Sequence, residues 1–189
     1  MSVGIGMTFG MDIRYAEGAT GSYLTNLSSK GRTICENIKK EEYGFGFMHI
    51  KAVDDAAHDK DSDIKKEFFL KIDIMLKEMI EDLTEDEKHN KKKIFVVTGD
   101  HSSPVVLGDH SFEPVPFSIS SLDSIVTHLN QEEPSTKRSI NLKKLRDTVT
   151  KFEEVETGTG ILGRFQGNQI MEVIKRFKNS CSTIVNSEF

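Results

Sequence analysis

The order strand, helix, strand predicts an α/β protein with a mainly parallel sheet flanked by helices. Three observations carry that expectation. Residues 45–52 (FGFMHIKA) are rich in β-formers. Ile64, Phe68, Ile72, Met75, Met79 and Leu83 then recur at spacings of four and three, the pattern of an amphipathic helix. Residues 94–97 (IFVV) follow as a short buried strand that ends in Thr98-Gly99-Asp100-His101.

The other elements are expected as follows. Residues 11–16 (MDIRYA) alternate like a strand, and the EGATG of 17–21 breaks it. Ser28 or Ser29 is placed to cap a helix through Ile34, Cys35 and Ile38 towards Glu42. A polar turn, DDAAHDKDSD, precedes the long helix, and TEDEKHNKKK (84–93) follows it as a solvated connection. Residues 115–119 read as another strand. Residues 120–148 turn polar around Pro134 and form a surface excursion, partly helical over 142–149. A strand near 152–155 and a helix over about 168–178 close the chain, with no internal repeat.

Composition narrows the function classes. The 189 residues carry 25 Lys and Arg against 30 Asp and Glu, a net charge of −5. That acidity, without a large basic block, argues against general nucleic-acid binding. At 37% hydrophobic and 29% charged the chain is globular, long enough for one domain, and holds no apolar run of membrane-span length. The start, MSVGIGMTFGMD, has no signal-peptide pattern. Cys35 and Cys181 stand far apart without CxxC spacing. A disulfide framework is not expected, and a cytoplasmic setting is.

The chemistry-bearing residues are acidic–histidine clusters. Asp54 and His58 follow one predicted strand, and Asp100 and His101 follow another. In a parallel α/β sheet the loops at the carboxyl ends of strands converge on the ligand site. His110 lies nine residues beyond His101, near enough to fold back. Mixed carboxylate and imidazole donors suit divalent metals. Asp54 and His58, four apart, share a face if their turn is helical, and with His110 they make a three-ligand site. Asp100 and His101, being adjacent, point apart and suit a second ion, the arrangement that clamps a phosphoryl group in transfer. The plain alternative is that such Asp-His pairs are turns or caps.

The remaining histidines read as ordinary: His89 and His128 solvated, His49 hydrogen-bonded within a strand. Asp55, Asp59 and Asp109 fit capping or outer-sphere roles alike. Ser102 and Ser103 read as turn residues, with no GxSxG elbow or P-loop present. Gly4, Gly6 and Gly10 read as backbone punctuation rather than a dinucleotide motif.

The strings HIKAVDDAAHD (49–59), VVTGDHSSPVVLGDHSFEPVP (96–116), EGATG (17–21) and GILGRFQG (160–167) resemble the archaeal-type cofactor-independent phosphoglycerate mutases of the alkaline phosphatase-like superfamily. The resemblance covers nearly the whole chain except 120–148. It implies interconversion of 3-phosphoglycerate and 2-phosphoglycerate, in glycolysis and gluconeogenesis, through a phosphoserine intermediate. It implies two divalent ions, Mn²⁺ foremost with Mg²⁺, Co²⁺ or Zn²⁺ admitted, and no bisphosphoglycerate. By similarity, Asp54, His58 and His110 hold one ion, and Asp100 and His101 contribute to the other.

The chain departs from that family at its start. SVGIGMTFGMDI resembles the return from the family's inserted second domain. Residues 1–189 are therefore expected to be the C-terminal portion of the metal-binding domain, incomplete at its N-terminal side. The nucleophilic serine, one metal ligand and most substrate-gripping arginines are then expected outside this chain, and Arg164 is read as structural. The isolated chain is expected to bind metal without turnover, and to self-associate through an unpaired sheet edge. A metal-dependent phosphohydrolase, a non-catalytic binding module and, last, a two-histidine, one-carboxylate iron oxygenase are the alternatives.

Overall fold

The computed structural model describes residues 2–40, 42–85, 93–129, 147 and 149–183. They divide into two compact units, 1–90 with 103–111, and 91–102 with 112–189.

The first unit is helical. Helix α1 spans Ser2–Thr8 and takes in Gly4 and Gly6. It stops where Gly10 adopts a left-handed φ of 74°, which lets the Met11 N–H reach the Gly6 carbonyl at 3.0 Å. Helix α2 spans Leu27–Ile38. Its cap is Asn26, upstream of the expected serines: the Asn26 side chain accepts the Ser29 N–H at 2.9 Å, and Ser29 is buried inside the helix. Helix α3 spans Ala52–His58, so much of the expected polar turn is a helix. Helix α4 spans Ser62–Thr84 and is capped by Asp61, whose carboxylate accepts the Asp63 and Ile64 N–H groups.

The core sits where α2 and α3 pack on α4. Phe68, Met75, Met79 and Leu83, all from the anticipated stripe, are the buried residues of α4. Gly31 lets α2 come close, because a Cβ there would stand 3.0 Å from Met75 Cγ and 3.1 Å from Met79 Cγ. On α3 the buried residues are Ala52, Ala56 and Ala57, small enough for its backbone to lie near α4. Burial, helped by Asp82, pushes the Cys35 thiol up to about 12. Cys35 is therefore an inert core group, and both cysteines are free.

The second unit holds strands β1 (Ile94–Thr98) and β2 (Phe117–Ser121). They pair antiparallel, with Ile94 opposite Ser121 and Thr98 opposite Phe117. The mainly parallel sheet expected from sequence is therefore not what the described residues form. Parallel pairing needs a crossover, usually a helix. The connection over 99–116 contains none, so the chain turns back alongside β1. The Thr98 hydroxyl donates to the Pro116 carbonyl at 2.9 Å at the base of that return.

Other strand expectations also change. Residues 11–16 and 45–51 pair with no strand among the described residues. At 152–155 the expected strand does not form, and a short helix begins at Glu154. Helix α5 (Leu122–Leu129) continues directly from β2, and α6 spans Glu154–Thr157. A single Glu156 carboxylate oxygen gathers the Thr150 and Lys151 N–H groups and the Thr150 hydroxyl, which holds the backbone out of a ladder. A 3₁₀ turn, Gly167–Gln169, leads into the final helix α7, Ile170–Thr183. Phe165 meets Phe117 of β2 edge-on at 5.2 Å. Most of 130–148, including most of the proposed helix over 142–149, and His89 lie outside the described residues. Among the described residues no helix is long and apolar enough to cross a membrane.

Candidate metal centre

Asp54 and His58 come from α3, one turn apart, and His110 comes from the loop over 103–111 in the same unit. His58 Nε2 lies 3.4 Å from Asp54 Oδ2, and His110 Nε2 lies 3.4 Å from Asp54 Oδ1. The two imidazole Nε2 atoms are 3.1 Å apart. The two imidazole nitrogens and the two oxygens of one carboxylate, from three side chains, thus face one another.

That spacing fits a divalent ion. Metal–donor bonds of about 2.0–2.2 Å place neighbouring donors roughly 3–3.5 Å apart. The tautomer of His58 fits as well. Its Nδ1 stands 3.1 Å from the Gly108 carbonyl, which can only accept, so Nδ1 carries the proton and Nε2 presents a lone pair. Gly108 holds that carbonyl in place with a φ of 70°, where a side chain would also meet the Lys60 stem at 2.4 Å.

The carboxylate is prepared for the charged role. Burial pushes the Asp54 carboxyl up, but the hydrogen bonds from Ser103 and Lys51 and the Lys51 charge outweigh it, and the net value falls to about 2. Ser103 Oγ donates to Asp54 Oδ1 at 2.7 Å, and Lys51 Nζ approaches Oδ2 at 3.1 Å. Lys65 Nζ in turn donates to the Ser103 carbonyl at 2.6 Å and ties that loop to α4.

Neighbouring groups resolve into supporting roles. Asp109 Oδ1 accepts the His110 N–H at 2.7 Å, a local turn. Asp55 pairs with Lys51 at 2.7 Å. Asp59 accepts the Tyr23 hydroxyl at 2.6 Å, a bond that, with burial and nearby carboxylates, pushes the phenol up to about 12. His49 is exposed rather than interior, its carbonyl accepting from Lys30 at 3.3 Å. Exposed His128 fits its solvated reading, and Arg164 is also exposed. In the second unit, Asp100 and His101 follow β1. Asp100 Oδ1 accepts the His101 N–H at 3.2 Å, and Oδ2 stands 3.5 Å from His101 Nε2. Ser102 Oγ donates to the Glu113 carbonyl at 3.1 Å.

Sequence reasoning missed three residues. Ser103 was read as a turn, although it orients Asp54. Lys51 and Gly108 were not singled out. Their only sequence signal is proximity: Lys51 precedes Asp54 by three, and Gly108 precedes His110 by two.

A carboxylate held by Ser103 and Lys51, beside two imidazoles of which His58 is held by the Gly108 carbonyl, is a donor set suited to a divalent metal ion. The chain belongs to the Metalloenzyme superfamily, whose profile matches residues 4–173. It is 33% identical over 171 residues to 2,3-bisphosphoglycerate-independent phosphoglycerate mutase 1 of Methanocaldococcus jannaschii, covering 90% of this chain and 35% of that protein. It is 29% identical over 176 residues to the 2,3-bisphosphoglycerate-independent phosphoglycerate mutase of Pyrococcus abyssi, covering 93% and 36%. The solved structure of PH0037 protein from Pyrococcus horikoshii superposes with a TM-score of 0.73 at 29% identity, over 93% of this chain and 45% of that one. The family resemblance read from the motifs is therefore borne out. The chain spans about a third of the length of the curated relatives it matches.

Proposed function

We propose that this chain supplies the metal-holding part of a phosphoglycerate mutase that interconverts 3-phosphoglycerate and 2-phosphoglycerate without a bisphosphoglycerate cofactor, in the cytoplasm. The observation that carries the reading is the convergence of Asp54, His58 and His110 at 3.1–3.4 Å in a chain whose relatives bear that name. Asp54, His58 and His110 hold one ion, and Asp100 and His101 contribute to a second. Carboxylate and imidazole donors without thiolate suit Mn²⁺, with Mg²⁺, Co²⁺ or Zn²⁺ as substitutes. Such ions supply electrostatic stabilisation of a phosphoryl group in transfer.

The chain's own residues prepare that centre. Ser103 and Lys51 keep Asp54 anionic and oriented, and the Gly108 carbonyl keeps the His58 proton on Nδ1, away from the centre. Neither Ser102 nor Ser103 fits the nucleophile, since each hydroxyl already donates, to the Glu113 carbonyl and to Asp54. The nucleophilic serine is expected from outside residues 1–189. The mainly parallel sheet is completed in the same way, with residues 45–51 as one of its strands.

The test is Mn²⁺ binding followed by a phosphoglycerate interconversion assay. Bound Mn²⁺ with no turnover is expected, and turnover should appear on adding a companion polypeptide that covers the rest of the relatives' length. Turnover by these 189 residues alone, abolished by His110→Ala, would place a nucleophile inside the chain. Metal-dependent release of phosphate from simple esters would point instead to a phosphohydrolase. The two-stranded sheet also has two edges without a partner among the described residues, and pairing there with a second copy belongs to this reading. A sedimentation experiment showing only monomer at high concentration would count against that pairing.

A further inference from the structure

Lys51 immediately precedes α3, and its side chain folds over the first turn onto two carboxylates. Its ammonium lies 3.1 Å from Asp54 Oδ2 and 2.7 Å from Asp55 Oδ1. Asp54 Oδ2 is also the oxygen that faces His58 Nε2 at 3.4 Å. One oxygen of the candidate metal ligand is therefore shared between the imidazole of the centre and a lysine.

The other carboxylate oxygen differs. Its partner is the Ser103 hydroxyl at 2.7 Å, a neutral donor that can stay while the oxygen's second lone pair binds an ion. An ammonium cannot stay so comfortably, because a divalent ion on Oδ2 would face it across a single oxygen atom, like charge against like. Lys51 also has somewhere to go. Asp55 already holds it at the shorter of the two distances, and its side chain is about half exposed, free to turn.

We propose that Lys51 is a resident cation of this centre: its ammonium occupies Asp54 when no metal is bound, and a divalent ion must displace it onto Asp55. This rests on the metal-centre reading above and adds to it. Lys51 holds metal affinity below what the three donors would give alone, while it keeps the partly buried carboxylate partnered in the metal-free state. Asp55 acts through Lys51, as the site that receives it.

The experiment is Mn²⁺ binding to the full 189-residue chain, read by the signal of free Mn²⁺ in electron paramagnetic resonance at fixed ionic strength. Lys51→Met is expected to bind Mn²⁺ on the order of tenfold tighter than wild type. Asp55→Asn is expected to bind more weakly, because the lysine then has only Asp54. Most of that loss should vanish in the Lys51→Met background, the signature of action through the lysine. Unchanged or weaker binding by Lys51→Met would overturn the proposal and make Lys51 a brace for the carboxylate. An equal Asp55→Asn effect in both backgrounds would overturn the transfer to Asp55. His110→Ala separates the two readings: if it loses Mn²⁺, the centre stands and Lys51→Met decides the proposal. If no variant binds Mn²⁺, Lys51→Met included, both readings fall.

Discussion

Replacing His110 by alanine is expected to weaken Mn²⁺ binding by at least about 100-fold, with the helical circular dichroism unchanged. Outer partners of metal ligands cost roughly 10–100-fold when removed, so loss of one of three direct donors must reach or pass the top of that range. The fold should tolerate the change, because the His110 side chain is half exposed and sits on a loop rather than in the α2–α4 core. His49→Ala is the matched control. It removes another exposed histidine of the same unit, one whose carbonyl accepts from Lys30, and should leave binding as it was. Equal titration curves for wild type and His110→Ala would end the case for this centre.

Phe68→Ala should give the largest loss of stability, about 3–5 kcal/mol, the usual cost of emptying a buried aromatic site. Phe68 is 3% exposed on α4. Its ring packs against Tyr23 with centroids 5.9 Å apart, and Lys71 Nζ lies 5.0 Å from its centroid. Tyr23 also donates to Asp59, the residue that ends α3, so the cavity would loosen the turn that seats His58. Phe69, the next residue, is 52% exposed, and Phe69→Ala should change stability by only about 0.5 kcal/mol. Urea unfolding of the pair checks both figures. A Phe68→Ala midpoint indistinguishable from that of Phe69→Ala would show that α4 is not anchored through this ring.

The parts of the fold that were legible are those encoded within a few turns of chain. The 64–83 stripe gave α4 because helical burial repeats every three to four residues, whatever lies opposite. The four-residue step from Asp54 to His58 anticipated their shared face, and α3 realises it. Boundaries were less legible. Asn26, Ser28 and Ser29 are all good caps, and which one acts depends on where the chain enters the helix.

Strand pairing was misread because a strand's own residues do not name its neighbour. The β-formers of 45–52 and the alternation of 11–16 are real, yet neither segment meets a ladder partner among the described residues. The antiparallel pairing of β1 with β2 was decided by a connection without a helix, not by either strand.

The sequence by itself determined the family, the composition class and the donor types, since these reside in residue identity and local spacing. Only the tertiary structure decided which donors meet and what surrounds them. His110 is separated from His58 by 52 residues, yet their Nε2 atoms stand 3.1 Å apart. Ser103 and Gly108 acquire their roles from the same folding back, which brings a hydroxyl to Asp54 and a carbonyl to His58. Hydrogen bonds and metal–donor distances act over a few ångströms, and that proximity is set by how the loop over 103–111 packs on the helices rather than by distance along the chain.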